Sequence, residues 1–313
     1  MSFSSEPRAP GAPPNQSGNP GGSGAGRCAS NAAAVKRRSR GLRIGATIPQ
    51  GYGGVQDKLQ SLSMPAANSI EEVIEALTVI INRATADGSR LGYFPALYRR
   101  VTREVKRGIE RGRFMDGPRM ERLDVAFANR YLAAYEGWRA GQYVSNCWMM
   151  AFGAAGRTDR AIIQHLLLGM NAHINLDLAV AAAEIAPGNA ISSLQTDFQQ
   201  IIKILSEQIS DVQDAIASVA PLMWILDVVG GQDEERLVEF SLTKARDAAW
   251  MQALVLAGLE GVERDDAIRM ADSGVSLIGA GVLDPPGFIV RTVVGFIVRS
   301  ETREVTRIID ALQ

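Results

Sequence analysis

The chain is poor in the side chains that most metal centres and disulfide scaffolds require. Its 313 residues include two cysteines and two histidines. Cys28 and Cys147 can build neither a disulfide framework nor a four-cysteine zinc site, and two histidines exclude every site that needs three. Aromatic residues make up 6% of the chain, while Ala, Leu, Ile and Val dominate. This composition is typical of packed helices and argues against a β-sandwich.

The chain also lacks a large net charge. Its 33 basic and 34 acidic residues give a net charge of -1, which argues against a globally basic nucleic-acid binder, so no nucleic-acid partner is expected. Residues 1–50 nevertheless hold seven of the basic residues, one acid and six of the 13 prolines. Such a segment buries too little apolar surface to offset the entropy of ordering it. We predict a disordered basic tail over 1–50 and one folded domain over 55–313.

A long apolar run is missing as well. The first twenty residues are polar and rich in Pro and Gly, without the apolar core of a signal peptide. The two most apolar late stretches, 275–283 and 288–298, are separated by Asp284-Pro285-Pro286-Gly287. Neither reaches the ~20 residues that a spanning helix needs. We therefore expect a soluble, cytoplasmic protein without a membrane span.

What the chain does contain, from Ser69 onward, is apolar spacing of helical period. Ser69 and Glu72 form a capping-box pattern, and Asp116-Gly117-Pro118 is a helix start with proline in the first turn. No window shows strand alternation bounded by hairpin turns. The predicted helices cover 70–86, 93–111, 116–141, 146–155, 158–187, 193–219, 221–228, 233–259 and 265–271, with two more around Pro285-Pro286. The fold class is all-α, a single globular bundle of antiparallel packed helices.

Both histidines fall on one predicted helix, within Gln164–Leu178. No Lys or Arg occurs between Arg160 and Lys203, so this helix is expected to be central, with neighbours on all sides. His173 and Asp177 stand four residues apart and therefore meet over one turn, where they can grip one ion or share one proton. The alternative is a buried, hydrogen-bonded pair that only fixes packing.

Amide side chains follow the nearly opposite face of the same helix. They are Gln164, Asn171 and Asn175. Because an unpaired buried polar group costs roughly 1–3 kcal/mol, we expect these amides to satisfy backbone ends or polar atoms of adjacent helices. His165 lies about 80° around the axis from His173, so one ion is not expected to bind both, and the role of His165 stays open.

Two further acids are predicted to point inward. Asp124 lies in line with Phe127 and Tyr131 on the third helix, and Asp247 lies in line with Met251 and Leu254 on the helix 233–259. An acid on a buried face is uncommon unless it has a partner. For Asp124 we expect an arginine, a tyrosine hydroxyl or a metal ion as that partner. Arg246, beside Asp247, could instead neutralise a buried acid as an ordinary ion pair.

Several segments together resemble an uncharacterised bacterial-type helical family, a domain of unknown function. The most specific is QHLLLGMNAHINLDL, residues 164–178. Supporting segments are Leu91–Phe94, Glu121–Asp124, Asn129–Leu132 and Ala245–Trp250, so that the resemblance covers about residues 91–250. It implies a helical domain that recurs as a unit and carries no biochemical activity with it.

Two hypotheses for function follow. In the first, the protein is a helical enzyme whose site gathers Asp124, His173, Asp177 and Asp247. A divalent metal held by His173, Asp177 and Asp124 would suit Fe, Mn or Zn, and the substrate would be an unknown small molecule. In the second, the protein is a non-catalytic helical module that binds an apolar ligand or a protein partner. Haem ligation through His165 or His173 is a third and weaker hypothesis, because no attachment motif accompanies either residue.

Overall fold

The helices of the domain follow the predicted order. The computed structural model describes residues 64–207, 209–220, 222 and 234–313, so the predicted tail over 1–50 and nearly all of the predicted helix 221–228 lie outside the described residues. Every regular element in these ranges is helical, which confirms the all-α fold. The α-helices are α1 (Ile70–Ala86), α2 (Tyr93–Glu110), α3 (Gly117–Arg139), α4 (Asn146–Ala154), α5 (Ile162–Ala172), α6 (Leu178–Ile185), α7 (Gln195–Ser206), α8 (Ile209–Val219), α9 (Glu234–Ala257), α10 (Gly261–Leu283), α11 (Phe288–Ser300) and α12 (Val305–Leu312).

The helix starts marked by Ser69 and Asp116 lie where the sequence predicts them. The Ser69 hydroxyl accepts the Glu72 backbone N–H at 3.2 Å and opens α1. The Asp116 carboxylate accepts the Arg119 N–H at 2.9 Å and opens α3, with Pro118 in its first turn. Each cap satisfies one of the backbone donors that a helix start leaves without a partner.

The helix that carries both histidines is the centre of the bundle. Residues 162–185 form α5, a five-residue π-helical segment (His173–Asp177) and α6, and they pack against α2, α3, α4, α9 and α10. By length and composition Ile162–Ile185 could cross a membrane, but 78% of its apolar window is buried inside the protein. That burial is what a core helix surrounded by other helices shows.

The amide side chains of the central helix bind the backbone of α10. The Gln164 amide donates to the carbonyls of Val282 (2.7 Å) and Leu283 (3.1 Å), at the end of α10. The Asn171 amide donates to the Val275 carbonyl at 2.9 Å, and Asn175 donates to the Asn171 side chain at 2.9 Å. The expectation that these amides serve neighbouring helices is confirmed for Gln164 and Asn171, whereas Asn175 bonds within its own helix.

Three helix boundaries differ from the prediction. The histidine helix begins at Ile162, where Gln164 accepts the Ala161 N–H at 3.0 Å. The predicted helix 193–219 is interrupted between Ser206 and Ile209. The short helix predicted over 265–271 is part of the longer α10, Gly261–Leu283. Gly279 is required there by packing, because a Cβ at this position would lie 2.8 Å from the Met150 sulfur.

Candidate active site

The predicted His–Asp pair lies in the one part of the central helix that departs from α-helical geometry. His173–Asp177 is π-helical, and the Leu178 N–H donates to the His173 carbonyl five residues earlier. Single π-helical turns inside α-helices are rare and are frequently found at functional sites. The sequence prediction assumed an ideal α-helix with a rotation of about 100° per residue. That assumption placed His173 and Asp177 on one face but could not reveal the π-helical turn.

Asp177 holds His173 in one tautomer. One Asp177 oxygen lies 3.1 Å from His173 Nδ1 and 2.9 Å from the indole N–H of Trp148. The other oxygen accepts the Arg130 Nε–H at 3.1 Å. A carboxylate surrounded by donors accepts from the histidine, so Nδ1 carries the proton and Nε2 carries the lone pair.

The imidazole is neutral and its free nitrogen is enclosed. Burial lowers the pKa of His173 below its usual value of 6.5, and the contact with Asp177 opposes that shift. The residue is 3% exposed, and Nε2 has no hydrogen-bond partner among the described residues. The pair therefore presents a neutral nitrogen base, oriented by a carboxylate, inside the core.

Aromatic side chains surround the imidazole. The Phe127 ring stacks on it, with ring centroids 3.5 Å apart and planes 10° from parallel. Tyr98 approaches edge-on at 4.5 Å and Phe94 edge-on at 5.6 Å, while Trp148 and Tyr131 lie at 6.0 and 6.2 Å. These rings keep the histidine in a surrounding of low polarity, which is the cause of its lowered pKa.

Tyr98 and Asp124 bring two more buried polar atoms without a partner. Neither the Tyr98 hydroxyl nor Asp124 Oδ2 meets a hydrogen-bond partner in the part of the chain that the structure describes. The neighbouring Thr102 hydroxyl donates instead to the Tyr98 backbone carbonyl at 3.0 Å. Burial raises the pKa of Tyr98 well above 10, the charges of Asp124 and Asp177 add to that shift, and the nearby Thr102 side chain opposes it. Tyr98 thus lies within electrostatic reach of both carboxyl groups.

The Asp124 carboxyl group titrates near neutral pH. It is 7% exposed, which confirms the prediction that it points inward, but the arginine or tyrosine partner expected for it is not found for Oδ2 among the described residues. Burial, and to a smaller extent the negative charge of Glu121, raise its pKa from 3.8 to about 7. At neutral pH a large fraction of Asp124 is therefore protonated and can donate a hydrogen bond.

A small cavity of about 20 Å³ lies beside this cluster. Its lining includes Phe94, Trp148, His165 and Arg90, and this volume corresponds to about one water molecule. His165 is 7% exposed, and its Nε2 atom has no hydrogen-bond partner within the described ranges. Burial lowers the pKa of His165 to about 4, so this histidine is neutral as well.

Gly169 fixes the position of Phe94 between the cavity and His173. A Cβ at residue 169 would lie 2.5 Å from Phe94 Cδ2 and 2.6 Å from Cγ, closer than real Cβ contacts. The glycine in the sequence GMNAHIN therefore lets the Phe94 ring pack directly on α5. Phe94 is partly exposed; it lines the cavity and meets the imidazole edge-on.

Asp247 does not belong to this cluster, and the prediction that it points inward is wrong. Asp247 is exposed, and Met251, on the same face of α9, is 62% exposed. The face of α9 that packs inward carries Arg246, Ala249 and Ala253 instead. It meets the alanine-rich α6, and small side chains on both helices allow a close approach. Met251 and Leu254, which suggested the opposite register, are therefore exposed.

The predicted metal ligands do not form a metal centre. Among the described residues, no group of three His, Cys, Asp or Glu side chains is arranged to hold an ion. Both oxygens of Asp177 face protonated donors, one of them the Arg130 guanidinium, which repels a cation. The ion pair proposed for Arg246 is not formed either, because its Nε and Nη1 atoms are buried and meet no hydrogen-bond partner in the described ranges.

Sequence reasoning missed three members of the cluster. Arg130 was not among the predicted site residues, yet its half-buried side chain reaches Asp177. Trp148 could have been suspected, because a buried indole N–H requires an acceptor. Tyr98 lies on the inward face of α2, but only the fold shows that this face meets His173.

These elements define a class of protein: an all-helical domain with an oriented, buried imidazole in a π-helical turn of its central helix. Residues 70–285 match the sequence profile of a family of unknown function, DUF5995, and the chain belongs to that family. No curated protein and no solved structure matches the chain.

Proposed function

We propose that this protein is an acid–base enzyme that moves a proton on a small, largely apolar substrate with a carbonyl group. His173 Nε2 is the base, Asp177 orients it, and Tyr98 and protonated Asp124 are the hydrogen-bond donors. The observation that carries the proposal is the state of His173, with one ring nitrogen held by a carboxylate and the other buried without a partner.

The arrangement of His173 and Asp177 suits a general base. A carboxylate that fixes the Nδ1–H tautomer directs the lone pair of Nε2 and stabilises the imidazolium that forms when Nε2 takes a proton. The lowered pKa of His173 keeps the unprotonated form available at neutral pH. A general base must be unprotonated at the working pH, and it is most effective when its pKa lies near that pH, because its basicity falls as the pKa falls.

Tyr98 and Asp124 suit the stabilisation of developing negative charge. In the proposed step, Nε2 takes a proton from the carbon next to a carbonyl, the electrons of that C–H bond form a C=C bond, and the π electrons of the carbonyl move onto its oxygen. The Tyr98 hydroxyl and the protonated Asp124 carboxyl donate to this oxygen. Return of the proton from the imidazolium to the substrate completes the cycle. A neutral phenol paired with a carboxylic acid of raised pKa is a known way to stabilise an enolate in an apolar site.

The unpartnered atoms argue for a function rather than for packing alone. Each buried polar atom without a partner costs roughly 1–3 kcal/mol, and the cluster contains three: His173 Nε2, Tyr98 Oη and Asp124 Oδ2. Their sum is a large part of a stability of about 5–15 kcal/mol for a typical protein. A pair that only fixed packing would not require unpartnered polar atoms on the neighbouring helices.

The aromatic walls indicate the class of substrate. Phe94, Phe127 and Trp148 offer apolar surface around the base, and the cavity beside Phe94 measures about 20 Å³. Entry of a substrate therefore requires a side chain to rotate, and the partly exposed Phe94 and Phe127 are the two that cover the imidazole. We expect a compact molecule with one polar group.

The test is proton exchange, which requires no knowledge of the final product. The full chain is incubated in D2O with a panel of small ketones and aldehydes, and loss of the α-proton signal is followed by proton NMR. We expect catalysed exchange with at least one member of the panel. His173→Gln and Asp177→Asn should reduce its rate by roughly 100-fold or more, as expected for loss of an oriented base. His165→Gln is the matched control, because it changes the other buried histidine.

Two results would contradict the proposal. One is exchange that persists in His173→Gln while helicity is unchanged. The other is a stoichiometric metal in protein purified without chelator or histidine tag, together with loss of that metal in His173→Gln. The second result would instead favour the hypothesis of a metal-dependent enzyme with Fe, Mn or Zn.

A further inference from the structure

Helices α10 and α11 expose an apolar surface on both sides of the turn that joins them. Its members are Leu277, Ile278, Phe288, Ile289 and Phe296, which are 54–78% exposed. We call this set the hairpin surface. Monomeric soluble proteins scatter such residues singly, and a concentration of them marks an interaction site. In α11 only Ile297 is buried, so this 13-residue helix lies on the outside of the domain.

The charges around the hairpin surface that are not paired with an opposite charge among the described residues are basic. Between Ser273 and Ser300 the basic residues are Arg291 and Arg299, both exposed, and the only acid is Asp284. Asp284 is paired with Arg160 at 3.0 Å. The carboxylate of Glu301, the next acid, is turned toward the Ile162 backbone N–H at 3.0 Å. The free charge beside the apolar side chains is therefore positive.

The shape of this region also suits an interface. Together α10 and α11 are long and apolar enough to cross a membrane, but the two helix axes are bent by 71° at the turn between them. A short helix with Phe and Ile on its exposed side, and arginines as its only charges, has the composition of helices that lie in the headgroup region of a bilayer. Arginine side chains there reach lipid phosphates while their methylene stems rest on the acyl boundary.

We infer that the hairpin surface docks on an anionic phospholipid membrane, with Phe288, Ile289 and Phe296 in the interface and Arg291 and Arg299 on the headgroups. A second copy of the chain fits less well. A twofold contact places the same patch on both subunits, and this patch would bring unbalanced arginines together. The inference does not depend on the proposed enzyme.

The test is co-sedimentation of the full chain with vesicles of phosphatidylcholine alone or mixed with phosphatidylglycerol. We expect binding to the mixed vesicles that weakens with salt. Phe288→Ser with Ile289→Ser should reduce it about tenfold or more, because two apolar side chains leave the interface. Arg291→Gln with Arg299→Gln should reduce binding to the mixed vesicles by a similar factor. All variants keep residues 1–50, so any contribution of the basic tail cancels.

The matched control is Met251→Ser with Val255→Ser, which removes two apolar side chains of 62% and 58% exposure from α9. Binding should be unchanged in this variant, and all variants should unfold at the wild-type temperature. Equal loss in the control and hairpin variants, or no loss in either, would overturn the inference. So would self-association of the wild type, measured by sedimentation velocity without lipid, that Phe288→Ser with Ile289→Ser abolishes, since the occupant would then be a second copy.

Discussion

Removing the Tyr98 hydroxyl should stabilise the protein while it impairs catalysis. Tyr98→Phe deletes one buried oxygen that has no hydrogen-bond partner in the described structure and leaves the ring in contact with His173 at 4.5 Å. Because no hydrogen bond is lost, the variant recovers part of the desolvation penalty of about 1–3 kcal/mol. We expect the free energy of unfolding to rise by roughly 1 kcal/mol, which corresponds to an increase in Tm of about 2–4 °C for a domain of this size.

The assay combines urea unfolding with the proton-exchange measurement. Stability is read from the midpoint at constant slope, and exchange should fall by roughly 100-fold if the hydroxyl stabilises the developing oxyanion. Tyr143→Phe is the control, because Tyr143 is 72% exposed and should change stability by less than about 0.5 kcal/mol. A loss of 1 kcal/mol or more in Tyr98→Phe would show that the hydroxyl has a partner, and the reasoning would be refuted.

Three further substitutions test the surroundings of the cluster. Gly169→Ala forces a Cβ against Phe94 and should destabilise the protein by about 1–3 kcal/mol, whereas Gly153→Ala, a helical site with open space, should be neutral or stabilising by up to about 1 kcal/mol. Asp124→Asn should change the pH dependence of stability, because burial raises the pKa of Asp124 to about 7. Between about pH 4 and pH 7, the free energy of unfolding of the wild type should fall by roughly 1.4 kcal/mol per pH unit relative to that of the variant. Arg130→Met leaves a buried carboxylate oxygen without its charged donor and should reduce stability by roughly 1–3 kcal/mol.

Urea titrations of the same variants check all three. Equal stability of the two glycine variants would show that Phe94 can move away without a loss of folding free energy. A constant difference between Asp124→Asn and the wild type from pH 5 to 8 would mean that Asp124 titrates in its ordinary range. A change below about 0.3 kcal/mol in Arg130→Met would mean that the ion pair with Asp177 is dispensable.

The sequence was sufficient for the fold because the signals involved are local. Capping residues such as Ser69 and Asp116 act within one turn of their own helix, so the starts of α1 and α3 could be predicted. The four-residue spacing of His173 and Asp177 is local too, and it predicted their contact. The amides at Gln164 and Asn171 were predictable from the rule that buried polar groups are paired.

The remaining features depend on contacts between distant segments. Arg130 reaches Asp177 from another helix, and the position of Asp247 depends on which face of α9 meets the alanines of α6. No pattern in the sequence predicts the π-helical turn at His173. The unpartnered state of Tyr98 and Asp124 appears only when the helices are packed together.

The central claim is that Asp177 holds His173 as the Nδ1–H tautomer, with Nε2 free as a base. Long-range proton–nitrogen NMR of the imidazole side chains tests it most directly, because the chain has only two histidines and His165→Gln assigns both sets of signals. The account predicts a protonated Nδ1 and an unprotonated Nε2 on His173 from pH 7 to 8, with Asp177→Asn altering the tautomer. A His173 ring protonated at Nε2, or charged in this range, would contradict it.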